Sequence, residues 1–142
     1  MSGEGNAKGG RIIPALRYRN AAAAIDWLCG AFGFERKMVV PADGGRVAHA
    51  ELTLGNGMIM LGDVETEYGR IVAAPTRGGP ATQGIYVVVE DADAHYARAK
   101  AAGAEIVLDI KTQDYGGRDY TARDPEGHVW TFGTYDPWVA TA

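Results

Sequence analysis

Cysteine is nearly absent from this chain, and so are long apolar runs. Cys29 is the only cysteine, so an internal disulfide is impossible, and its place in a helical pattern predicts a small buried apolar residue rather than a nucleophile. No stretch approaches the roughly 18 consecutive apolar residues of a membrane-spanning helix. The N-terminal MSGEGNAKGG also lacks the apolar core of a signal peptide. We therefore expect a cytoplasmic protein that contacts no membrane.

Clustered positive charge is missing as well. The 14 lysines and arginines are scattered along the 142 residues, and the formal net charge is −4. Because phosphate backbones are bound by clustered basic residues, this distribution argues against a nucleic-acid partner and agrees with a cationic ligand. The apolar content of 46% is enough for one ordinary core, so we expect a single domain.

Two predicted hairpins organise the chain. The stretch RDYTARDPEGHVWTFGTY contains two apolar-aromatic runs joined by a turn at residues 124–127, where Pro125 presets φ and Gly127 tolerates a conformation that other residues resist. A weaker copy lies earlier, where RVAHAELTL and MIML flank the Asn56-Gly57 pair. Asn-Gly is a strong signal for a hairpin turn.

The segments that precede the two hairpins also resemble each other. ALRYRN and AAAAIDWLCGAFGF stand before the first hairpin, and YVVVED and ADAHYARAKAAGA before the second. Each copy reads as a strand, a polar helix cap, a helix ended by glycine and a further strand. The spacing from Gly33 to Gly57 is 24 residues (57 − 33), and from Gly103 to Gly127 it is again 24 (127 − 103). The pattern predicts two tandem β-α-β-β-β modules, an α+β fold.

Paired modules of this order, with a DPEGH turn before the last strand, resemble the glyoxalase/bleomycin resistance protein/dioxygenase superfamily, also called vicinal oxygen chelate. The resemblance covers about residues 11 to 136 and implies curved mixed sheets around a cavity. We divide this domain into module one (11–63), a linker (64–82) and module two (83–136). A disordered leader (1–10) and a tail (137–142) are expected on either side. The long linker is a candidate lid or dimer contact.

Metal-dependent members of that superfamily hold one divalent ion with His, Glu or Gln side chains from the first and last strands of each module. Counting from the hairpin glycines places the corresponding positions near Ile13, Leu61, Gly84 and Thr131. Three of these residues have no donor side chain, and a lone threonine hydroxyl does not hold such an ion. We therefore predict no family-type metal site and no other cofactor.

The predicted ligand-binding residues follow from strand alternation. Residues that are out of phase with the apolar set beneath the helices should point into one concavity, and these are Arg17, His49, Glu51, Tyr86 and Thr131. His49 and Glu51 are about 7 Å apart by strand rise. Glu51 is the expected anchor for a cationic ligand. His95, in the second helix, is expected to face solvent.

Two functions are compatible with these residues. The first is a metal-free homodimer, of the bleomycin-resistance sort implied by the resemblance, that binds a small aromatic or cationic molecule beside rings such as Tyr86. The alternative is a lyase, isomerase or dioxygenase of the same superfamily with unusual metal ligands such as His49 and Glu51. A domain with an undetermined ligand is a third reading, because fold alone does not set function.

Overall fold

The computed structural model describes residues 9–139, and the residue contacts divide the chain between Ala74 and Pro75 into two units. This division falls inside the predicted linker, and each unit contains one predicted module. Most of the expected leader and the last three residues of the tail lie outside the described residues. The two units are described one at a time.

The first unit is a four-stranded mixed sheet with one helix. Its strands follow the order β1-β4-β3-β2, in which β1 is parallel to β4 and the other pairs are antiparallel. The elements are β1 (Ala15–Tyr18), α1 (Ala21–Phe32), β2 (Glu35–Pro41), β3 (Val47–Leu54) and β4 (Gly57–Asp63). A short 3-10 turn, Tyr68–Arg70, follows β4. As expected for a strand that contains or follows a proline, β1 lies at a sheet edge and begins directly after Pro14.

Helix α1 begins and ends as its sequence predicts. The side chain of Asn20 accepts a hydrogen bond from the backbone N–H of Ala23 at 3.1 Å, and Gly33 ends the helix with a positive φ of 87°. The predicted core stripe is buried against the sheet; its members are Ala21, Ile25, Leu28 and Phe32. One face of the first sheet is thereby covered, and the opposite face is left open.

The second unit repeats this arrangement with the strand order β5-β8-β7-β6. Its elements are β5 (Gly84–Val88), α2 (Ala92–Ala101), β6 (Glu105–Thr112), β7 (Arg118–Arg123) and β8 (Val129–Gly133). Strand β5 is parallel to β8, and the other pairs are antiparallel. The predicted α+β fold of two β-α-β-β-β modules is confirmed.

The turn between β7 and β8 depends on Asp124. Its Oδ1 accepts hydrogen bonds from the backbone N–H groups of Glu126 at 3.0 Å and His128 at 3.1 Å. Its Oδ2 accepts the indole N–H of Trp130 at 3.1 Å. Gly127 has a φ of 101°, which suits glycine. The carboxylate therefore joins the turn to the core beneath it.

The placement of His95 differs from the sequence prediction, and strand β3 contains an irregularity that simple alternation does not predict. His95 does not face solvent: its ring stacks on Phe132 at 4.1 Å between centroids, and its Nδ1 lies 2.6 Å from the hydroxyl of Tyr120. A polar atom under the helix needs a partner, and the buried tyrosine hydroxyl supplies it.

In β3, Val47 is buried and Ala48 is exposed, because the ladder with β2 passes from His49 to Val47 and skips Ala48. That irregularity reverses the alternation at one end of the strand.

None of the helices within residues 9–139 is long and apolar enough to cross a membrane.

Candidate functional site

The open face of the first sheet, defined as the face opposite α1, carries a row of methionines around a carboxylate. Glu51 in β3 lies opposite Met38 of β2 and Met60 of β4, and Met60 lies opposite Ala15 of β1. Side chains at directly opposed positions share one side of a sheet. Methionine side chains are flexible and polarizable, so they adapt to ligands of different shapes. This face therefore combines adaptable apolar contacts with one negative charge.

His49 and Glu51 form a pair on this face. The Nε2 of His49 lies 3.0 Å from the Oε2 of Glu51. The side chain of His49 is 36% exposed to solvent, and that of Glu51 is 20% exposed. Strand rise separates the backbones of His49 and Glu51 by about 7 Å. Their long side chains lie on the same face and converge, so their polar atoms come within hydrogen-bond distance. A carboxylate that is largely removed from water attracts a positive group more strongly than one that is fully hydrated.

Arg17 lies on the same face but is engaged with the chain that follows β4. Its Nη1 donates to the carbonyl of Asp63 and to the hydroxyl of Thr66, both at 3.3 Å, and its guanidinium lies 5.0 Å from the ring centre of Tyr68. Burial lowers the pKa of Arg17, and nearby Tyr68 and Asp63 oppose this effect. Arg17 thus orders the start of the linker.

Gly62 makes this position of Arg17 possible. A β-carbon on Gly62 would lie 2.8 Å from Nη1 of Arg17 and 2.7 Å from the carbonyl oxygen of Ala48. The guanidinium therefore occupies space directly above the glycine on the open face. Arg17 is 5% exposed, so it presents less free surface to a ligand than strand alternation alone suggested.

The open face of the second sheet brings together the other two predicted residues. Tyr86 of β5 lies opposite Thr131 of β8, and Thr131 lies opposite Thr121 of β7. The two threonine hydroxyls are 2.7 Å apart, while Tyr86 is 39% exposed. Leu108 of β6 continues this row at 65% exposure. An aromatic ring and an exposed leucine thus flank a pair of hydroxyls.

Tyr86 is held in place at its hydroxyl. The hydroxyl donates to the carbonyl of Tyr135 at 2.7 Å, and a β-carbon on Gly133 would lie 2.5 Å from it. Burial raises the pKa of Tyr86, and the negative charge of Asp119 raises it further. The ring is therefore neutral and fixed over Gly133 at physiological pH.

Comparison with known proteins agrees with this geometry. Residues 12–132 match the glyoxalase/bleomycin resistance protein/dioxygenase superfamily. The chain belongs to this superfamily. The resemblance on which the sequence interpretation depended is thus confirmed.

Similar proteins span almost the whole described chain. The uncharacterized protein Rv0887c of Mycobacterium tuberculosis is 36% identical over 123 residues, which cover 86% of this chain and 72% of that protein. The crystal structure of TioX from Micromonospora sp. ML1 has 35% identity and a TM-score of 0.72, with 88% of this chain and 98% of that chain covered. The fosfomycin resistance protein FosX from Mesorhizobium loti has 14% identity and a TM-score of 0.62, with coverages of 91% and 94%. The similarity to FosX concerns the fold alone.

The residues at the superfamily's metal positions do not fit a divalent ion. Of the predicted positions, Leu61 is buried on the helix side, and its neighbour Met60 lies on the open face. Ile13 and Gly84 have no donor side chain, and the residues two positions after them are Ala15, which lies opposite Met60, and Tyr86, which lies opposite Thr131. They offer a thioether and two hydroxyls, whereas such ions require several imidazole or carboxylate donors. Within residues 9–139, no group of three or more His, Cys, Asp or Glu residues could hold a metal ion.

Sequence reasoning missed a polar cluster at the end of the second sheet. Asp119 of β7 is 8% exposed and accepts hydrogen bonds from Gln113 at 2.8 Å and from the hydroxyl of Tyr115 at 2.9 Å. Strand alternation places Asp119 on the same face of β7 as Thr121. This signal could have identified Asp119 as an open-face residue from the sequence. The contacts from the β6–β7 turn could not be predicted from periodicity.

Proposed function

We propose that this protein binds a small aromatic or cationic molecule through residues on the open face of a sheet, without a metal ion. The contact residues would be Arg17, His49 and Glu51 on the first sheet, and Tyr86 and Thr131 on the second. Sequestration of an antibiotic is the form of binding we favour, because the superfamily to which the chain belongs includes bleomycin resistance proteins.

One observation carries this proposal: Glu51 lies between Met38 and Met60 on the face opposite α1. Small-molecule sites combine apolar contact area with a few placed polar groups. The two methionines would supply the apolar contacts, and the carboxylate would orient a positively charged or hydrogen-bond-donating group. Arg17 would contribute mainly by ordering the chain beside the site.

The alternative is a metal-dependent lyase, isomerase or dioxygenase. The close pair of His49 Nε2 and Glu51 Oε2, at 3.0 Å, favours it, because an imidazole and a carboxylate are common ligands of transition metals. Two donors leave such a site incomplete, since catalytic zinc sites use three protein ligands. Elemental analysis of protein purified without chelator separates the two functions: one tightly held transition metal per chain would support the enzyme.

A two-fold dimer and a cytoplasmic location remain predictions. Strand β2 lies at an edge of the first sheet and exposes Met38, Val39 and Val40 by 41 to 45%, which is consistent with an interface between copies. Light scattering at micromolar concentration tests the dimer, and a stable monomer would contradict it.

A thermal-shift screen of antibiotics and aromatic metabolites tests the proposed binding, with two variants of β3 as a matched pair. Glu51→Gln should weaken a cationic ligand while barely changing stability, because the side chain is on the open face. Leu52→Ala should leave binding intact but destabilise by about 2 to 5 kcal/mol, as for a fully buried leucine. Ligands indifferent to both Glu51 and Tyr86 would contradict the proposed surface.

A further inference from the structure

A groove in the second unit has features that the proposed function does not use. It has a volume of about 630 Å³, and its walls include Tyr115 from the β6–β7 turn and Tyr135 and Asp136 from the chain after β8. The rings of Tyr115 and Tyr135 stand nearly perpendicular, at 79°, with centroids 5.5 Å apart. The pair is an edge-to-face contact, in which the edge of one ring packs against the face of the other, and we call it the aromatic corner. A cation is attracted to a ring face that remains open.

Three contacts hold the two rings in this arrangement. The hydroxyl of Tyr115 donates to Asp119, and the hydroxyl of Tyr86 donates to the carbonyl of Tyr135. Gly117, with a φ of 86°, allows the backbone of Tyr135 to approach, since a β-carbon there would lie 2.9 Å from the β-carbon of Tyr135. The corner is therefore formed before any ligand arrives, which lowers the entropy cost of binding.

The surroundings of the corner are negatively charged. Asp119 is 8% exposed, and its hydrogen-bond donors, Gln113 and Tyr115, are both neutral. Lys111 lies opposite Asp119 in the strand ladder, yet Asp119 forms no ion pair within the described part of the chain. Asp136 adds a second carboxylate in the groove wall. The charge of Glu51, by contrast, already has His49 as a partner.

We propose that this groove binds an organic ammonium ion, with Tyr115 and Tyr135 as its aromatic walls and Asp119 and Asp136 as the source of negative potential. Tyr86 acts here as a positioning residue, through its hydrogen bond to Tyr135. Cation–π contact favours a weakly hydrated ammonium over a metal ion, because the groove offers ring faces rather than a set of oxygen ligands. The site goes beyond the proposed function, since it would exist even if the Glu51 surface bound nothing.

Titration of the full-length protein with choline chloride, followed by the backbone amide resonances of Gly116 and Gly117, tests the site. We expect saturable shifts with choline and none with sodium chloride at equal ionic strength or with 3,3-dimethyl-1-butanol, the neutral isostere of choline. Absence of a saturable shift, or equal shifts with the isostere, would overturn the proposal.

Variants connect the binding to the corner. Tyr115 is 62% exposed, so Tyr115→Leu should fold and should weaken choline binding by about two- to fivefold, as for loss of one exposed cation–π contact. Asp136→Asn should also weaken choline binding, by about two- to fivefold. If one of the two variants fails to fold, the other still tests the site. Tyr96→Leu is the matched control, because Tyr96 also hydrogen-bonds a carboxylate, that of Asp109, but does not line the groove.

Choline affinity, measured at the Gly116 and Gly117 resonances, should be unchanged in Tyr96→Leu. Equal weakening by Tyr96→Leu and Tyr115→Leu would refute the groove as the site. Because Gly116 and Gly117 line the groove, their resonances report on this site, and it can fail or hold independently of the first-sheet surface.

Discussion

Replacement of Asp124 by asparagine should destabilise the second module, because asparagine cannot satisfy all three donors that Asp124 accepts. Asp124 is 4% exposed, and its two oxygens serve two backbone N–H groups and the indole of Trp130. In Asp124→Asn, the amide oxygen can remain with the turn, but the NH₂ group then faces the indole N–H. The reverse orientation leaves two backbone donors facing the NH₂ group.

The expected cost follows from one buried donor left without an acceptor, which is about 1 to 3 kcal/mol. Trp130 is fully buried, so water cannot easily replace the lost acceptor. Asp124→Ala removes both acceptor oxygens, which leaves all three of these donors without their partner, and should cost more than Asp124→Asn. Urea unfolding followed by far-UV circular dichroism measures the free energy of unfolding of each variant.

A double-mutant cycle with Trp130→Phe isolates the donor conflict from other effects. Phenylalanine has no N–H group, so Asp124→Asn should cost about 1 to 3 kcal/mol less in the Trp130→Phe background than in the natural one. Additivity of the two substitutions to within about 0.5 kcal/mol would refute the argument. Unchanged stability of Asp124→Asn alone would refute it as well.

Two further predictions concern a glycine and a buried tyrosine. Gly62→Ala should destabilise by about 1 to 3 kcal/mol, because the new methyl would lie 2.7 Å from the Ala48 carbonyl. Gly30→Ala, in α1 with open space around it, should instead stabilise by about 0.5 to 1 kcal/mol; equal urea midpoints for the two variants would contradict this pair. Burial raises the pKa of Tyr120 above the ordinary value of 10.0, so its contribution to stability is present below pH 10 and is lost above it, as the unfolded state releases the proton. Tyr120→Phe should flatten this alkaline decline, and an unchanged pH profile would show that Tyr120 is not its source.

Local sequence signals determined the secondary structure because their physics is local. Asn20 caps α1 through a backbone N–H three residues away, and Gly33 ends it because glycine tolerates a positive φ. The turn at Asp124 likewise uses atoms within six residues. Such contacts are encoded in short stretches of chain, and the repetition of these stretches was sufficient to predict two modules.

The sequence also determined which face of each strand is open, and it did so for His49, Glu51, Tyr86 and Thr131. Side chains alternate between the two faces of a sheet with a period of two. Once one residue is assigned to a face, the faces of the other residues in that strand follow, up to any irregularity in the ladder. Counting from a turn did not show that Leu61 is buried on the helix side while Met60 lies on the open face, because such a count does not reveal which residues are opposed across the ladder.

Only the tertiary structure decided what the side chains contact. Arg17 was expected to face a ligand, but its guanidinium binds the last residue of β4, Asp63, which is 46 residues away, and Thr66 beyond it. His95 was expected to face solvent, but it stacks on Phe132 beneath the helix. The corner of Tyr115 and Tyr135 depends on contacts of Asp119, Tyr86 and Gly117. Long side chains can reach several neighbours, and packing between elements distant in sequence selects among these neighbours, which periodicity along one strand or helix does not encode.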